Sequence, residues 1–304
     1  MGDSMAVQVE QAVERAVQRA PGVGQAGTKI SLALHGAVLK GGEGVRDTVD
    51  VLHGTWLGHP FHPVLTEITI GAWFIGGVFD AVGAIGRSRG ARLTGDRLAA
   101  IGTATAIPTA LTGLADFSTF PQWSANPATL HAGLNLANLA LYAASLRERR
   151  RGNRRRGLAL SWLAQGLTMA SAWLGGMLVY KHKVGVDHSE RFSGPKDWTP
   201  VFHEADLADG KARRVEVEGK HVLICRENGQ VFAIGAVCSH AGGPLDQGKI
   251  RDGCVQCPWH DSVFDLRDGR IVHGPATQPQ PRFETRVRGG RVEIRLASLD
   301  QANG

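Results

Sequence analysis

Cysteine is scarce in this chain of 304 residues, and all four cysteines lie in its last third. No disulfide framework can therefore extend across the whole protein. The first twenty residues lack a continuous apolar stretch behind a basic start, so we expect no cleavable signal peptide there. Valines in that stretch alternate with charged residues, which predicts an amphipathic helix at an interface, and a second weak helical stretch follows at about 30–39.

Negative charge is also in short supply, because 34 lysines and arginines face 28 acidic residues and leave a net charge of +6. That balance alone would fit nucleic-acid binding. Much of the arginine, however, is concentrated in two short runs that flank apolar segments. This distribution indicates a membrane orientation signal, so we expect a lipid bilayer as partner and no nucleic acid.

Apolar stretches of about 20 residues, long enough to cross a bilayer, occur four times, at about 64–85, 99–117, 128–146 and 158–180. They are rich in Gly, Ala, Ser and Thr, which let membrane helices pack closely. Glu67 and Asp80 are ionisable groups within the first stretch, which raises the question of a function there. We predict a transmembrane four-helix bundle; a soluble four-helix bundle is the alternative.

The loops between these stretches differ in charge. The loop before the second stretch and the loop before the fourth are rich in arginine, whereas residues 118–127 contain neither lysine nor arginine. Basic loops stay in the cytoplasm. We therefore expect a multi-pass protein of the cytoplasmic membrane with its C-terminal domain on the outer face. Arg155 and Arg156 resemble a twin-arginine export signal before the fourth stretch; the alternative is that they only anchor the topology.

The C-terminal third contains a paired motif of cysteine and histidine. Cys238 and His240 form C-x-H, and Cys257 and His260 form C-x-x-H sixteen residues later. Two loops thus each offer one thiolate and one imidazole. The pattern is typical of an asymmetric [2Fe–2S] cluster, in which one iron takes both cysteines and the other takes both histidines. Zinc is the alternative, because cysteine and histidine at such spacings also bind it.

The residues around the motif resemble the Rieske family over about 197–298. Predicted hairpins turn at Asn228-Gly229 and Gly289-Gly290, and His273-Gly274-Pro275 resembles the proline-rich loop that covers the cluster. The resemblance implies an all-β Rieske domain that transfers electrons. Cys225 falls in a strand pattern and is predicted to be a buried core residue.

Departures from the quinol-oxidising Rieske subunits point to the ferredoxin type. Gly243 and Trp259 stand where those subunits carry two further cysteines, so their disulfide is absent, and Phe264 replaces a tyrosine that donates to sulfur. Ser262 could still donate. Fewer donors to sulfur lower the reduction potential. We predict Ser262, Gly243 and Pro275 as residues that tune the cluster.

The segment His59-Pro60-Phe61-His62-Pro63 resembles the start of the DUF2231 family of bacterial membrane proteins, a likeness that covers about 55–185. With the topology above, five polar residues are expected at the outer ends of the spans: His59, His62, Asp116, His131 and His182. His131, Asn135 and Asn138 share one helical face. These groups could hold haem b or a quinone; alternatively, they cap helices and hydrogen-bond at the interface.

Asp50, His53 and His59 match the D-x-x-H-x-x-x-x-x-H spacing found at the mononuclear iron of Rieske oxygenases. Here the match precedes the spans, and we expect no ring-hydroxylating catalytic domain in this protein. We interpret it as a coincidence, with Asp50 and His53 on the polar approach to the first span.

The predicted organisation is an N-terminal interfacial segment (1–58), a four-span membrane domain (59–182), a linker (183–198) and a Rieske domain (199–304). The favoured function is a membrane-anchored electron carrier that works with redox proteins or quinone. The alternatives are a quinol-oxidising or haem-containing oxidoreductase subunit, and a redox sensor. The sequence does not decide whether the protein is itself an enzyme.

Overall fold

The computed structural model describes residue 15, residues 21–189 and residues 194–297, which form two compact units. The helical unit contains the described residues up to Lys40 together with Phe61–Val184. The β unit contains Gly41–Pro60 and the described residues from Gly185 onward. The amphipathic helix expected over 1–20 lies outside the described residues, apart from residue 15.

The helical unit contains five of the helices that the structure describes. They are α1 (Pro21–Lys40), α3 (Phe61–Ile85), α4 (Arg89–Ser118), α5 (Ala125–Arg150) and α6 (Arg154–Tyr180), whereas α2 (Glu43–His53) belongs to the β unit. All four predicted apolar stretches are helical. α4 begins where Ser88 accepts a hydrogen bond from the Ala91 N–H at 3.2 Å, which satisfies one free donor of the first turn.

Small and polar side chains fill the interior of the helical unit. Ala164 and Asn138 are completely buried, and the Trp73 and Tyr142 rings stack at 4.1 Å. Threonines hydrogen-bond between helices, as where Thr69 and Thr109 lie 3.0 Å apart. α1 approaches α5 closely because it carries glycine at the contact: a Cβ on Gly24 would lie 1.9 Å from the Asn126 side chain.

One end of the helical unit is held by a partly buried ion cluster of two carboxylates and two guanidiniums, one from each of α3 to α6. Arg149 donates to Asp80 at 2.6 Å and to Asp96 at 2.7 Å, and Arg154 reaches the same carboxylates at 3.1 and 2.9 Å. The Asp80 and Arg149 side chains are nearly inaccessible. The cluster brings the two arginine-rich loops to the same end of the bundle, as predicted.

Within the described part of the chain, two helices are long and apolar enough to cross a membrane, α3 and α4. The expectation of four spans is thus met in part. Helices α5 and α6 occupy the other two predicted positions, but Asn135, Asn138 and Gln165 along them lower their hydropathy.

The β unit contains ten strands in two antiparallel sheets. The larger sheet has the order β1-β10-β9-β4-β3-β2 and the smaller sheet has the order β5-β6-β7-β8. The strands are β1 (Thr199–His203), β2 (Ala212–Val217), β3 (Lys220–Glu227), β4 (Gln230–Gly235), β5 (Lys249–Arg251), β6 (Cys254–Gln256), β7 (Val263–Asp265), β8 (Ile271–His273), β9 (Arg282–Arg288) and β10 (Arg291–Leu296).

Both predicted hairpins are confirmed. β3 and β4 turn at Asn228 and Gly229, which both have positive φ, and β9 and β10 turn at Gly289 and Gly290. Such turns match the right-handed twist of the strands they join. Cys225 on β3 is completely buried, also as predicted, and burial raises the pKa of its thiol to about 12. It is therefore a core residue.

Candidate metal centre

Two short loops present the cysteines and histidines of the paired motif. In the first, which follows β4, the Cys238 N–H donates to the Gly243 carbonyl at 2.8 Å and the Gly242 N–H donates back to the Cys238 carbonyl. In the second, between β6 and β7, Cys257 and Ser262 make the same bond at 2.8 Å, and the Asp261 N–H donates to the Cys257 carbonyl. The two loops therefore share one backbone hydrogen-bond pattern.

The fifth position of each pattern has a left-handed backbone, with φ of 78° at Gly242 and 61° at Asp261. Glycine adopts this conformation without strain. At Asp261, an aspartate tolerates it, and its carboxylate accepts a hydrogen bond from the Gln256 side chain at 2.6 Å. Each loop is thus closed by local chemistry that the sequence spacing alone does not reveal.

The loops bring the four motif side chains together. Cys238 and Cys257 are 1% and 2% exposed and their thiols are in hydrogen-bonding contact, while the His240 and His260 rings lie 5.0 Å apart. Both histidines are partly exposed, and the Nδ1 atom of His260 is buried. The site therefore has a buried pair of sulfurs and a more exposed pair of imidazoles, the asymmetry that a cluster with two kinds of iron ligand requires.

Backbone amides surround the sulfurs. The N–H groups of His240 and Ala241 point at the Cys238 sulfur, and those of Trp259 and His260 point at the Cys257 sulfur. The hydrogen bond from the Cys238 thiol, helped by those two amides, lowers the pKa of Cys257 to about 7. Thiolates are the form that binds iron, and amide donors stabilise them.

Gly243 is required by the space at the site. A Cβ at this position would lie 2.8 Å from the Cys257 sulfur and 3.2 Å from the Trp259 ring. A side chain there would push the two loops apart. The second loop therefore approaches so closely that this position, where quinol-oxidising Rieske subunits carry a further cysteine, has no room for a side chain here.

The proline-rich loop after β8 closes over both motif loops. The Ala276 N–H donates to the Ser262 hydroxyl at 3.1 Å, and the Ser239 hydroxyl donates to the Gln278 carbonyl at 2.6 Å. Pro275 and Ala276 are buried. Ser262 was predicted to donate to a cluster sulfur; its oxygen accepts from Ala276, and its role in tuning the cluster stays a prediction.

Two segments that the sequence placed elsewhere also contact this site. The His188 N–H, in the expected linker, donates to the Ser239 carbonyl at 3.1 Å. Asp50 accepts hydrogen bonds from the Gly274 N–H and from His273, both at 2.9 Å, and His53 is 3% exposed. Asp50 and His53 therefore pack in the β unit, not on a polar approach to the first span. In the sequence, the only feature that singles out these two residues is the D-x-x-H-x-x-x-x-x-H spacing, which we interpret as a coincidence.

The five polar residues proposed for a membrane redox site do not all share one unit. His59 belongs to the β unit, and its Nδ1 lies 3.1 Å from the Pro60 carbonyl. Within the helical unit, the His62 and His131 rings lie 6.4 Å apart in an edge-to-face arrangement. The main-chain carbonyls of Asp116 and His182 accept from Thr119 and from the Trp123 indole, and the His182 N–H donates to the Met177 carbonyl at 3.1 Å.

His62 and His131 each join two helices. Their Nδ1 atoms lie 2.9 Å from the Thr109 and Ser171 carbonyls, and Asn135 contacts the Nε2 atom of His131 at 3.1 Å. These bonds match the packing alternative that the sequence left open. Haem b or quinone in this unit stays a prediction, without support from related proteins.

Comparison with known proteins assigns both halves of the chain. Residues 197–284 match the family described as Rieske [2Fe-2S] domain, and residues 58–188 match the predicted membrane protein family DUF2231. The anthranilate 1,2-dioxygenase ferredoxin subunit of Burkholderia cepacia is 34% identical over 100 residues, which are 33% of this chain and 93% of that protein.

Two further similarities cover the same third of the chain. Apoptosis-inducing factor 3 of Mus musculus is 35% identical over 97 residues, so this chain spans only 16% of its length. Among solved structures, the ferredoxin of carbazole 1,9a-dioxygenase from Nocardioides aromaticivorans IC177 has 27% identity and a TM-score of 0.32, covering 34% of this chain and 100% of that one. The chain belongs to the Rieske [2Fe–2S] family through its C-terminal domain, which follows a DUF2231 predicted membrane domain.

Proposed function

We propose that this protein is a one-electron carrier anchored in the cytoplasmic membrane by its helical unit. The observation that carries the proposal is the pairing of two matched loops, whose two sulfurs and two imidazoles converge at one place. A bound [2Fe–2S] cluster would accept and release one electron there. Cys238 and Cys257 would hold one iron, and His240 and His260 the other.

The protein residues around this centre have separate tasks. Amides from both loops stabilise the thiolates, and the buried side of the site excludes water from the sulfurs. Electrons would pass between the cluster and its partner proteins through the partly exposed imidazoles. Trp259 is 47% exposed, its ring lies 6.4 Å from the His260 ring, and it offers an aromatic contact surface.

A ferredoxin-like reduction potential is supported by what surrounds the sulfurs. Phe264 is completely buried and has no donor to offer, and none of the four cysteines forms a disulfide. We expect a potential nearer about −150 mV than about +300 mV, the ends of the Rieske range. A low potential favours electron delivery to a redox protein over quinol oxidation.

The distribution of side chains in the helical unit supports four membrane spans. Large apolar side chains point outward on every one of α3 to α6, including Phe74 (55% exposed), Ile107 (56%), Leu136 (65%) and Leu163 (57%). Soluble proteins rarely expose apolar surface so widely. The polar residues that lower the hydropathy of α5 and α6, such as Asn138, lie inside, where lipid does not reach them.

The experiment that tests electron carriage is a redox titration of the full-length protein in detergent, followed by electron paramagnetic resonance. We expect about two irons per chain and a rhombic signal from the reduced cluster. Zinc in place of iron, in protein prepared anaerobically, would overturn the proposal. A potential near about +300 mV would instead favour the quinol-oxidising alternative.

Membrane anchoring has its own test. We expect the protein to stay in the membrane fraction after extraction at alkaline pH. Fusions after residue 185 to an alkaline phosphatase, which is active only outside the cytoplasm, should be active if the Rieske domain lies on the outer face. Activity of a cytoplasm-only reporter at the same position would contradict that topology and leave the electron-carrier proposal intact.

A further inference from the structure

The segment Gly41–Pro60 belongs to the β unit, although residues 41–57 match neither family. It consists of α2, which ends where the Gly54 N–H donates to the Asp50 carbonyl, and a 3-10 turn at Thr55–Leu57. The Rieske family match does not include this segment. The match therefore does not explain why the segment contacts the rest of the β unit.

Asp50 makes the central contact. One carboxylate oxygen accepts from the Gly274 N–H at 2.9 Å, and the other accepts from His273 Nδ1 at 2.9 Å. The Asp50 and His273 side chains are 16% and 14% exposed, so both bonds lie largely out of water. Hydrogen bonds to a carboxylate are among the stronger ones in proteins, and shielding from water strengthens them.

Neighbouring residues complete the contact. A Cβ on Gly274 would lie 3.1 Å from both the Asp50 carboxylate and the Thr55 methyl group, which shows how closely the backbone of the proline-rich loop approaches the segment. His53 is buried beside it. The Gln278 side chain donates to the Gly58 carbonyl. The segment is therefore hydrogen-bonded to both ends of the proline-rich loop, at residues 273–274 and at residue 278.

The same loop is bonded to the ligand loops on its other side. Gln278 accepts from Ser239, which lies between Cys238 and His240 in the chain, and Ala276 donates to Ser262, whose carbonyl accepts from Cys257. A displacement of the proline-rich loop would therefore be transmitted to both ligand loops through these bonds.

We propose that Gly41–Pro60 is a clamp on the proline-rich loop, with Asp50 as its positioning residue. The clamp holds the loop closed over the ligand loops and so sets the hydrogen bonding around the sulfurs and the access of water to them. Both quantities determine the potential of a Rieske cluster. A helix that only added stability would leave the potential of the folded, loaded protein unchanged.

The test compares Asp50→Ala with Asp47→Asn in the full-length protein. Asp47 lies one turn earlier on α2, and its carboxylate is within 4.8 Å of a His273 ring nitrogen, so Asp47→Asn removes a nearby charge and leaves both clamp bonds in place. Hydrogen exchange at Gly274 and the potential of the cluster are measured for both variants.

We expect Asp50→Ala to speed exchange at Gly274 at least tenfold, and to change the ratio of reduced to oxidised cluster at fixed poise at least threefold. That ratio corresponds to about 28 mV for one electron. Asp47→Asn should change neither. If folded, loaded Asp50→Ala protein matches Asp47→Asn in either measurement, the proposal is overturned; an unchanged potential with faster exchange would mean that the segment only adds stability.

If Asp50→Ala does not retain iron, Asp50→Asn is compared with Asp47→Asn in its place. Its amide oxygen keeps one hydrogen-bond acceptor, so we expect smaller changes in the same direction. Agreement of Asp50→Asn with Asp47→Asn would then overturn the proposal. Exchange at Gly274 is measurable whatever metal the protein holds. The clamp rests on the proposed function as a cluster-binding electron carrier, but its failure is distinguishable from failure of the cluster assignment by the exchange at Gly274.

Discussion

The two units of this protein place their apolar side chains in opposite ways. In the β unit, Leu223, Ile234 and Phe264 are completely buried and arginines cover the outside. In the helical unit, alanine, serine and threonine fill the interior, and Phe74 and Leu136 point outward. One chain thus contains a domain whose distribution suits water and a domain whose distribution suits lipid. The buried polar groups of the two units consequently do different work.

In the β unit, some of the buried polar atoms bond the loops that carry the paired cysteine and histidine motif, whereas in the helical unit they hold helices together. The hydroxyls of Ser239 and Ser262 bond the loops around the cysteines. The carboxylate of Asp80 instead neutralises Arg149 at one end of the bundle. Changes at one kind of site should therefore leave the other kind intact, and the following predictions test that separation from the largest effect to the smallest.

Cys257→Ser should abolish the cluster and its paramagnetic signal, because serine replaces the thiolate that iron requires. The matched control is Cys254→Ser, a partly exposed cysteine three residues earlier. We expect iron content near zero in the first variant and unchanged in the second. Helical content and membrane insertion should stay the same in both. Loss of membrane insertion in Cys257→Ser would show that the units depend on each other.

Arg149→Met should destabilise the helical unit by about 3–5 kcal/mol, because it leaves Asp80 buried without its strongest partner. Unfolding in mixed micelles of increasing denaturing detergent measures the change. Arg151→Met is the control, because Arg151 is 55% exposed and its ion pair with Glu148 is long, at 3.6 Å. Its loss should lower the free energy of unfolding by less than about 1 kcal/mol. An altered cluster signal in Arg149→Met would break the separation of the two units.

Asp265→Asn should destabilise the β unit by about 1–3 kcal/mol at neutral pH. The Asp265 carboxylate is 1% exposed and bonds Arg267 and Arg270, and the hydrogen bond from Arg267 lowers its pKa. A lowered pKa means that the stabilisation is complete above the ordinary value of 3.8 and is lost as the pH falls below it.

The difference in unfolding free energy between wild type and Asp265→Asn should therefore shrink as the pH is lowered through that window. Tryptophan fluorescence in a urea series at several pH values measures it. Asp268→Asn serves as the control, because Asp268 is 41% exposed and its ion pair with Arg270 is 3.9 Å long. The hydrogen bond that its side chain accepts from the Arg270 N–H at 2.9 Å can be kept by the asparagine oxygen. A pH-independent difference would show that charge is not what Asp265 contributes.

Trp259→Ala should have the smallest effect on stability, about 1 kcal/mol or less, because about half of the side chain is exposed. Its effect should appear in encounters with protein partners. We expect reoxidation of the reduced cluster by cytochrome c to slow about fivefold, and reoxidation by ferricyanide, which needs no docking surface, to stay unchanged. Val287→Ala, at another exposed apolar position, is the control. Equal slowing with both acceptors would indicate a changed cluster instead.

The sequence predicted much of the fold because the signals were local. Apolar runs marked α3 to α6, and glycine-containing turns marked the hairpins of β3–β4 and β9–β10. The prediction of four membrane spans is only partly met, because the mean hydropathy of a segment does not show which way its polar residues face. The polar residues that lower the hydropathy of α5 and α6 face inward, and orientation is not visible in an average over a segment.

The amino-acid sequence by itself determined the cysteine and histidine pairs, because C-x-H and C-x-x-H place each pair within one loop. The tertiary structure alone decided what supports them. Asp50 and His273 are separated by 223 residues, and nothing near either one predicts their hydrogen bond. The same holds for Asp80 and Arg149, 69 residues apart. Pairing over such distances depends on how elements pack, which is a property of the whole chain.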